Sequence, residues 1–160
     1  MKTNKTIVAS LTLVGILVLV FLANNASNTS KSTINELVGG EEFVIYKSPN
    51  CGCCGVYSSY LERAGVSVEV RNVTNMNEVK TRLNIPPELQ SCHTTEVGGY
   101  VVEGHIPLEV IEKLLTEKPQ IQGIALPGMP SGSPGMPGPK AAPFVIYTLG
   151  GAEGEIYMTI

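Results

Sequence analysis

Tyr46-Lys47-Ser48-Pro49-Asn50-Cys51-Gly52-Cys53-Cys54-Gly55-Val56-Tyr57-Ser58-Ser59-Tyr60 places three of the chain's four cysteines within four consecutive positions. The apolar run Phe43-Val44-Ile45-Tyr46 at its head reads as a short strand buried on both faces, ended by Ser48-Pro49-Asn50. From Cys53 onward Val56, Tyr60, Leu61 and Ala64 fall on one helical face, and Gly65 supplies a left-handed stop. The thiols of Cys51, Cys53 and Cys54 therefore stand on a strand-to-helix turn, where unpaired N–H groups and partial positive charge favour thiolates. Val66, Val68 and Val70 then alternate with Ser67, Glu69 and Arg71, the period of a strand. Strand, helix and strand make a βαβ unit, right-handed by default.

Downstream, Asn75 and Glu78 form a capping box for a second helix with Met76, Val79 and Leu83 as its apolar stripe, stopped by Pro86-Pro87. Glu88 to Thr95 carries no period and reads as loop, and Val97 to Glu103 as a Gly-interrupted strand or hairpin with Tyr100, Val101 and Val102 as its core. Pro107 suits the first position of a third helix whose face is Val110, Ile111, Leu114 and Leu115, ending near Lys118-Pro119. Gly123 to Pro143 is rich in Gly and Pro, too long for an ordinary connection, and repeats Pro127-Gly128-Met129-Pro130 as Pro134-Gly135-Met136-Pro137. Phe144 to Tyr147 and Glu155 to Ile160 then form a terminal β-hairpin, with Ala142-Pro143 a candidate cis peptide.

A chain of 160 residues allows one modest domain plus extensions. Ile7 to Ala23 is an unbroken uncharged run behind Lys2 and Lys5, the pattern of an export signal. Residues 1–26 are thus either a cleaved signal peptide or an uncleaved membrane anchor, residues 27–41 a polar linker, and residues 42–160 the domain. Both versions place the domain in the periplasm or otherwise outside the cytoplasm, meeting a membrane only through the N-terminal segment. No acidic residue lies in the first 26, so losing Lys2 and Lys5 takes the formal charge from −3 to −5. An acidic domain without clustered Lys or Arg is not built to hold nucleic acid.

Four exported cysteines ordinarily suggest two disulfides, but bridges among Cys51, Cys53 and Cys54 close tiny rings, and only Cys92 is placed for a long-range bridge. Buried small residues, a dithiol and a metal site remain as readings. The Cys51…Cys54 pair has Cys-x-x-Cys redox spacing, yet Cys53 would compete for every mixed disulfide. A metal site uses all three thiols, because closely spaced thiolates are soft and select Cu(I) or Zn. Cys92-His93 adds a fourth thiol and an imidazole, and His105 is either a further ligand or an ordinary neighbour of a helix start. Met129 and Met136 have no evident core to fill in a Gly/Pro/Ser loop, and thioethers shift the choice from zinc toward copper.

Cys51-Gly52-Cys53-Cys54, Ser91-Cys92-His93-Thr94, Glu103-Gly104-His105-Ile106-Pro107 and the paired Pro-Gly-Met-Pro segments together resemble the CopG-like family of exported bacterial copper-resistance proteins. The resemblance runs from about Phe43 to Tyr147. It implies a thioredoxin-like α/β fold, a mixed sheet with flanking helices, and a cysteine-bridged multinuclear copper site used in copper redox handling. Cys51, Cys53, Cys54 and Cys92 match the family motifs, and His93, His105, Met129 and Met136 are carried over as ligands or lining. Glu88 to Pro143 departs from a plain thioredoxin order as an insertion before the hairpin, and no helix follows that hairpin. The expectation is an exported copper-binding protein holding more than one Cu(I), with copper ions and other copper-handling proteins as partners. Two alternatives stand beside it, a thiol–disulfide oxidoreductase and a zinc-stabilised interaction module.

Overall fold

The computed structural model describes residues 16, 38, 40–152 and 154–160. The expected signal or anchor, and nearly all of the linker, lie outside the described residues. Among those described, no helix is long and apolar enough to cross a membrane.

The fold is mixed α/β and thioredoxin-like, a seven-stranded sheet ordered β2-β1-β3-β4-β5-β6-β7 and flanked by three helices. Strand β1 (Glu42–Lys47) pairs in parallel with β2 (Ser67–Asn72), and helix α1 (Gly52–Ala64) joins them as the βαβ pattern requires. β1 is covered unequally: Phe43 and Ile45 are fully buried, whereas Val44 and Tyr46 are only half-covered. Gly65 ends α1 with φ of 93°, a backbone state that suits a residue without Cβ. The buried face of α1 is Cys54, Tyr57, Ser58 and Leu61, and Val56 is exposed, contrary to the expected stripe. Tyr57 takes the inward place because its hydroxyl donates to the Ile106 carbonyl at 2.8 Å, which satisfies the one polar atom its ring brings inside.

Helix α2 (Met76–Arg82) starts at Asn75, whose side chain accepts from the Asn77 N–H at 3.1 Å; Glu78 receives the Asn75 amide rather than its backbone N–H. Helix α3 (Leu108–Glu117) buries Val110, Ile111, Leu114 and Leu115 as expected, each worth roughly 1.5–3 kcal/mol of apolar transfer. Pro107 stands one position earlier than expected, as the N-cap.

The middle of the chain corrects the sequence reading. His93–Val97 is strand β3, not loop, and it lies between β1 and β4 (Tyr100–Glu103). Gly98 and Gly99, both at positive φ, turn β3 into β4, the chemistry of a two-residue hairpin. The strand was masked because His93, Thr94 and Thr95 are polar residues fully buried at the centre of a sheet. Gly123–Ala125 forms β5, parallel to β4, at the head of the Gly/Pro-rich segment that reads as too long for an ordinary connection. The closing hairpin is β6 (Val145–Leu149) with β7 (Ile156–Thr159), antiparallel as expected. No cis peptide occurs among the described residues, so the bond before Pro143 is trans.

One face of the sheet carries the main core, where Phe43 and Ile45 meet Tyr57 and Leu61 of α1 and Ile111 and Leu114 of α3. The other face carries a smaller cluster of Ile85, Leu89, Val101, Ala125 and Leu149. The long loop after β5 folds back on the head of α1: a Cβ on Gly135 would stand 2.9 Å from the Cys53 carbonyl oxygen and from the Tyr57 nitrogen.

Candidate metal centre

Cys51 is the N-cap of α1, with extended backbone and no side-chain cap hydrogen bond, and no acidic residue lies in the first turn. The positive end of the helix is therefore left for the sulfurs of this turn to answer. One helical turn brings residues three apart together, and the structure joins Cys51 to Cys54 across a Cα separation of 5.4 Å, leaving Cys53 and Cys92 free. This corrects the expectation that a bridge within the cluster has poor geometry: the adjacent and next-nearest pairs do, but the three-residue separation fits the usual Cα range.

Cys92 reaches the same point from the strand side. It immediately precedes β3, and its Sγ lies 3.5 Å from Cys54 Sγ and 3.8 Å from Cys53 Sγ, while Cys53 Sγ is 3.6 Å from Cys51 Sγ. All four sulfurs lie within 4.8 Å of one another. Burial, and then the neighbouring Cys53 thiol, pushes the Cys92 thiol up to about 12. Cys92 is off the helix, and the N-terminal field that favours thiolates does not offset its desolvation.

Cys92, His93 and His105 form a second cluster sharing that sulfur. His105 Nδ1 lies 2.7 Å from the Pro134 carbonyl, which can only accept, so this nitrogen carries the proton. Its Nε2 is left with a bare lone pair, 3.0 Å from Cys92 Sγ. His93 presents Nδ1 at 3.5 Å from the same sulfur, and its Nε2 is buried with no hydrogen-bond partner among the described residues. Both rings are fully buried, packed edge to face with centroids 4.7 Å apart, and Tyr57 lies against each. Burial, then the charges of His105 and Lys80, holds His93 well below its ordinary range; burial also lowers His105, although its bond to Pro134 pulls the other way.

Soft sulfurs and neutral imidazoles form a donor set suited to a soft or borderline metal ion. A buried imidazole nitrogen left without a partner, as His93 Nε2 is, costs about 1–3 kcal/mol in a merely structural pocket. Of the residues singled out in sequence, the fold gathers Cys51, Cys53, Cys54, Cys92, His93 and His105. Met136 is half-buried and directly follows Gly135, which is seated on α1; Met129 is 53% exposed. Gly128, beside Met129, is tied to the strand approach by its N–H to Gln90 O and by the Ser91 hydroxyl to its carbonyl.

Sequence reasoning missed Tyr57, which backs both imidazoles, and the buried Lys80–Glu103 pair behind β3 and β4. The Tyr57 signal was its helical spacing to Cys54 and Leu61; a lone Lys inside an amphipathic helix gave none.

A family model described as a protein of unknown function, DUF411, matches residues 89–136, a span that contains Cys92, His93, His105 and Met129 and ends at Met136. No curated protein matches the chain. Among solved structures, the copper resistance protein CopG in its form 2 is similar at 32% identity, covering 75% of this chain and 98% of that one, with a TM-score of 0.68. Its form 1 is similar at 33% identity over 74% of this chain and 96% of that one, with a TM-score of 0.67. Identity at this level across nearly the whole of the compared structures shows that the chain belongs to the CopG family of copper resistance proteins.

Proposed function

We propose that this protein is an exported copper-binding protein that holds more than one Cu(I) and serves copper resistance. Its thiolates Cys51, Cys53, Cys54 and Cys92 are the principal donors, with His93, His105 and the Met129 and Met136 loop as further donors. The observation that carries the reading is a pair of clusters joined at one sulfur, four thiols in the first and Cys92 with two imidazoles in the second. Six donors exceed what one tetrahedral ion takes, and thiolates bridge soft ions readily. The copper resistance proteins to which the chain is similar support the choice of copper. Loading needs the reduced protein, because the Cys51–Cys54 bridge removes two of the four thiolates.

That bridge favours a second reading, a thiol–disulfide oxidoreductase in which Cys51 and Cys54 exchange with partner thiols at the head of α1. The two readings separate on metal dependence. The reduced protein is offered Cu(I) and Zn(II) together under anaerobic conditions, beside a Met129→Leu, Met136→Leu double variant. Copper retained over zinc, with the preference weakened in the variant, supports the copper reading. Zinc retained with the methionines dispensable points to a zinc module, and disulfide turnover undiminished by a chelator points to the oxidoreductase.

A further inference from the structure

Glu103, at the end of β4, is fully buried, and its carboxylate collects three donors. Oε1 accepts from the Ser91 backbone N–H at 2.7 Å and from Lys80 Nζ; Oε2 accepts from the Thr94 hydroxyl at 2.6 Å. Lys80 of α2, equally buried, also reaches the Thr94 hydroxyl at 3.4 Å. Glu103 and Thr94 are register partners across β3 and β4. Their side chains face Lys80 of α2, whereas His93, one residue earlier, faces Tyr57 of α1, as alternation along a strand requires.

What this carboxylate holds is specific to the metal centre. Ser91 immediately precedes Cys92, Thr94 immediately follows His93, and Glu103 itself is two residues before His105. The chain next to each of the three donors contributed from the strand side is thus tied to one rigid group on the back of the sheet. A buried ion pair is poor evidence of stability alone, since apolar residues of similar size often replace one at no loss. Here the carboxylate instead holds the approach of Cys92 to β3 at the Ser91 N–H, from the back of the sheet, while Gly128 ties Gln90 and the Ser91 hydroxyl from the methionine loop.

We propose that Glu103 is the positioning residue of this metal centre, setting Cys92 and His93 against His105 through Ser91 and Thr94, with Lys80 holding the carboxylate in place. The inference rests on the copper reading above. Donors fixed from behind in this way typically bind metal 10–100-fold tighter than unsupported ones.

The test compares the full-length reduced protein with a Glu103→Leu, Lys80→Met double variant, which removes both charges together and so avoids a lone buried ion. Thr94→Val and Thr94→Ser accompany it, and Glu96→Gln, in the exposed Arg82–Glu96 pair, is the control. Three quantities are read: thermal stability, Cu(I) affinity by competition with a chelator, and the near-ultraviolet Cu(I)–thiolate absorption. The expected result is a folded double variant with Cu(I) affinity down at least about tenfold and an altered absorption band. Thr94→Val should show a smaller loss, Thr94→Ser should restore it, and Glu96→Gln should match the parent. If the double variant fails to fold, the Thr94 pair decides. Copper affinity and absorption unchanged in the folded variants overturn the positioning role alone. A parent protein that takes up no more than one Cu(I) overturns the copper reading, and this inference with it.

Discussion

Cys92 Sγ stands 3.0 Å from His105 Nε2, the ring nitrogen left without a proton because Nδ1 donates to Pro134. In the metal-free protein the contact is a thiol donating to an imidazole. Once the thiol gives up its proton, the same geometry aims two lone pairs at one point, and the Pro134 carbonyl holds the ring in the tautomer that binding requires.

His105→Ala should therefore weaken Cu(I) binding by at least about tenfold, no less than the loss of an outer partner of a ligand costs, while Cys92 remains free to react with a thiol reagent. Chelator competition on the reduced variant measures the first, and labelling after unfolding and native labelling measure the second. An unchanged affinity would mean that His105 only lines the site.

The state of Cys51 and Cys54 should control loading. With the bridge intact only Cys53 and Cys92 are free, and both are partly buried. Oxidised protein should take up less Cu(I) than protein reduced with a dithiol, and prior loading should protect all four cysteines from alkylation. Equal uptake by the two forms would show that Cys51 and Cys54 are not donors.

Acid should destabilise the metal-free protein. His93 and His105 are both held below the ordinary histidine value, chiefly by burial, so the folded state keeps them neutral where the unfolded chain protonates them. As pH falls below about 6.5 the unfolded state binds more protons and stability drops, until the lowered folded values are reached. Thermal unfolding at about pH 7.5 and about pH 5.5 should show a lower midpoint in acid, with the difference reduced in His93→Gln. Copper affinity should fall over the same range, since the Cys92 thiol, up near 12, yields its proton only to the metal.

Gly135 tests the seating of the methionine loop. Its φ is 83°, and a Cβ would meet the Cys53 carbonyl and the Tyr57 nitrogen at 2.9 Å; Gly128, at φ of 69°, has open space around it. Both alanine variants carry backbone strain of about 1–3 kcal/mol, and Gly135→Ala adds the steric clash. Thermal unfolding should place Gly135→Ala clearly below Gly128→Ala, and equal midpoints would mean that the loop yields without cost.

The cysteine turn, the βαβ unit and the face of α3 were legible in sequence because each rests on local spacing. Cys92 joins the turn in sequence only by thiol count and family resemblance, because its approach to Cys54 is set by sheet order, with β3 pairing next to β1. β3 itself is hidden because hydropathy reads His93, Thr94 and Thr95 as polar, and the Thr94 hydroxyl is an interior group through its bonds to Glu103 of β4 and Lys80 of α2. Helical spacing alone puts Val56 inward and passes over Tyr57, because the Ile106 carbonyl that accepts from the Tyr57 hydroxyl is distant in sequence. β5 is three residues long within a Gly/Pro-rich run, too short to carry a period.

The most direct measurement is the number of Cu(I) ions bound by the fully reduced protein and by Cys53→Ser, titrated anaerobically and counted by metal analysis after gel filtration. Cys53 is the thiol that an ordinary Cys-x-x-Cys redox turn does without, and its sulfur lies 3.6 Å from that of Cys51 and 3.8 Å from that of Cys92. The account predicts more than one Cu(I) per chain in the parent and fewer in Cys53→Ser. One ion or none in the parent, or an unchanged count in the variant, would contradict it.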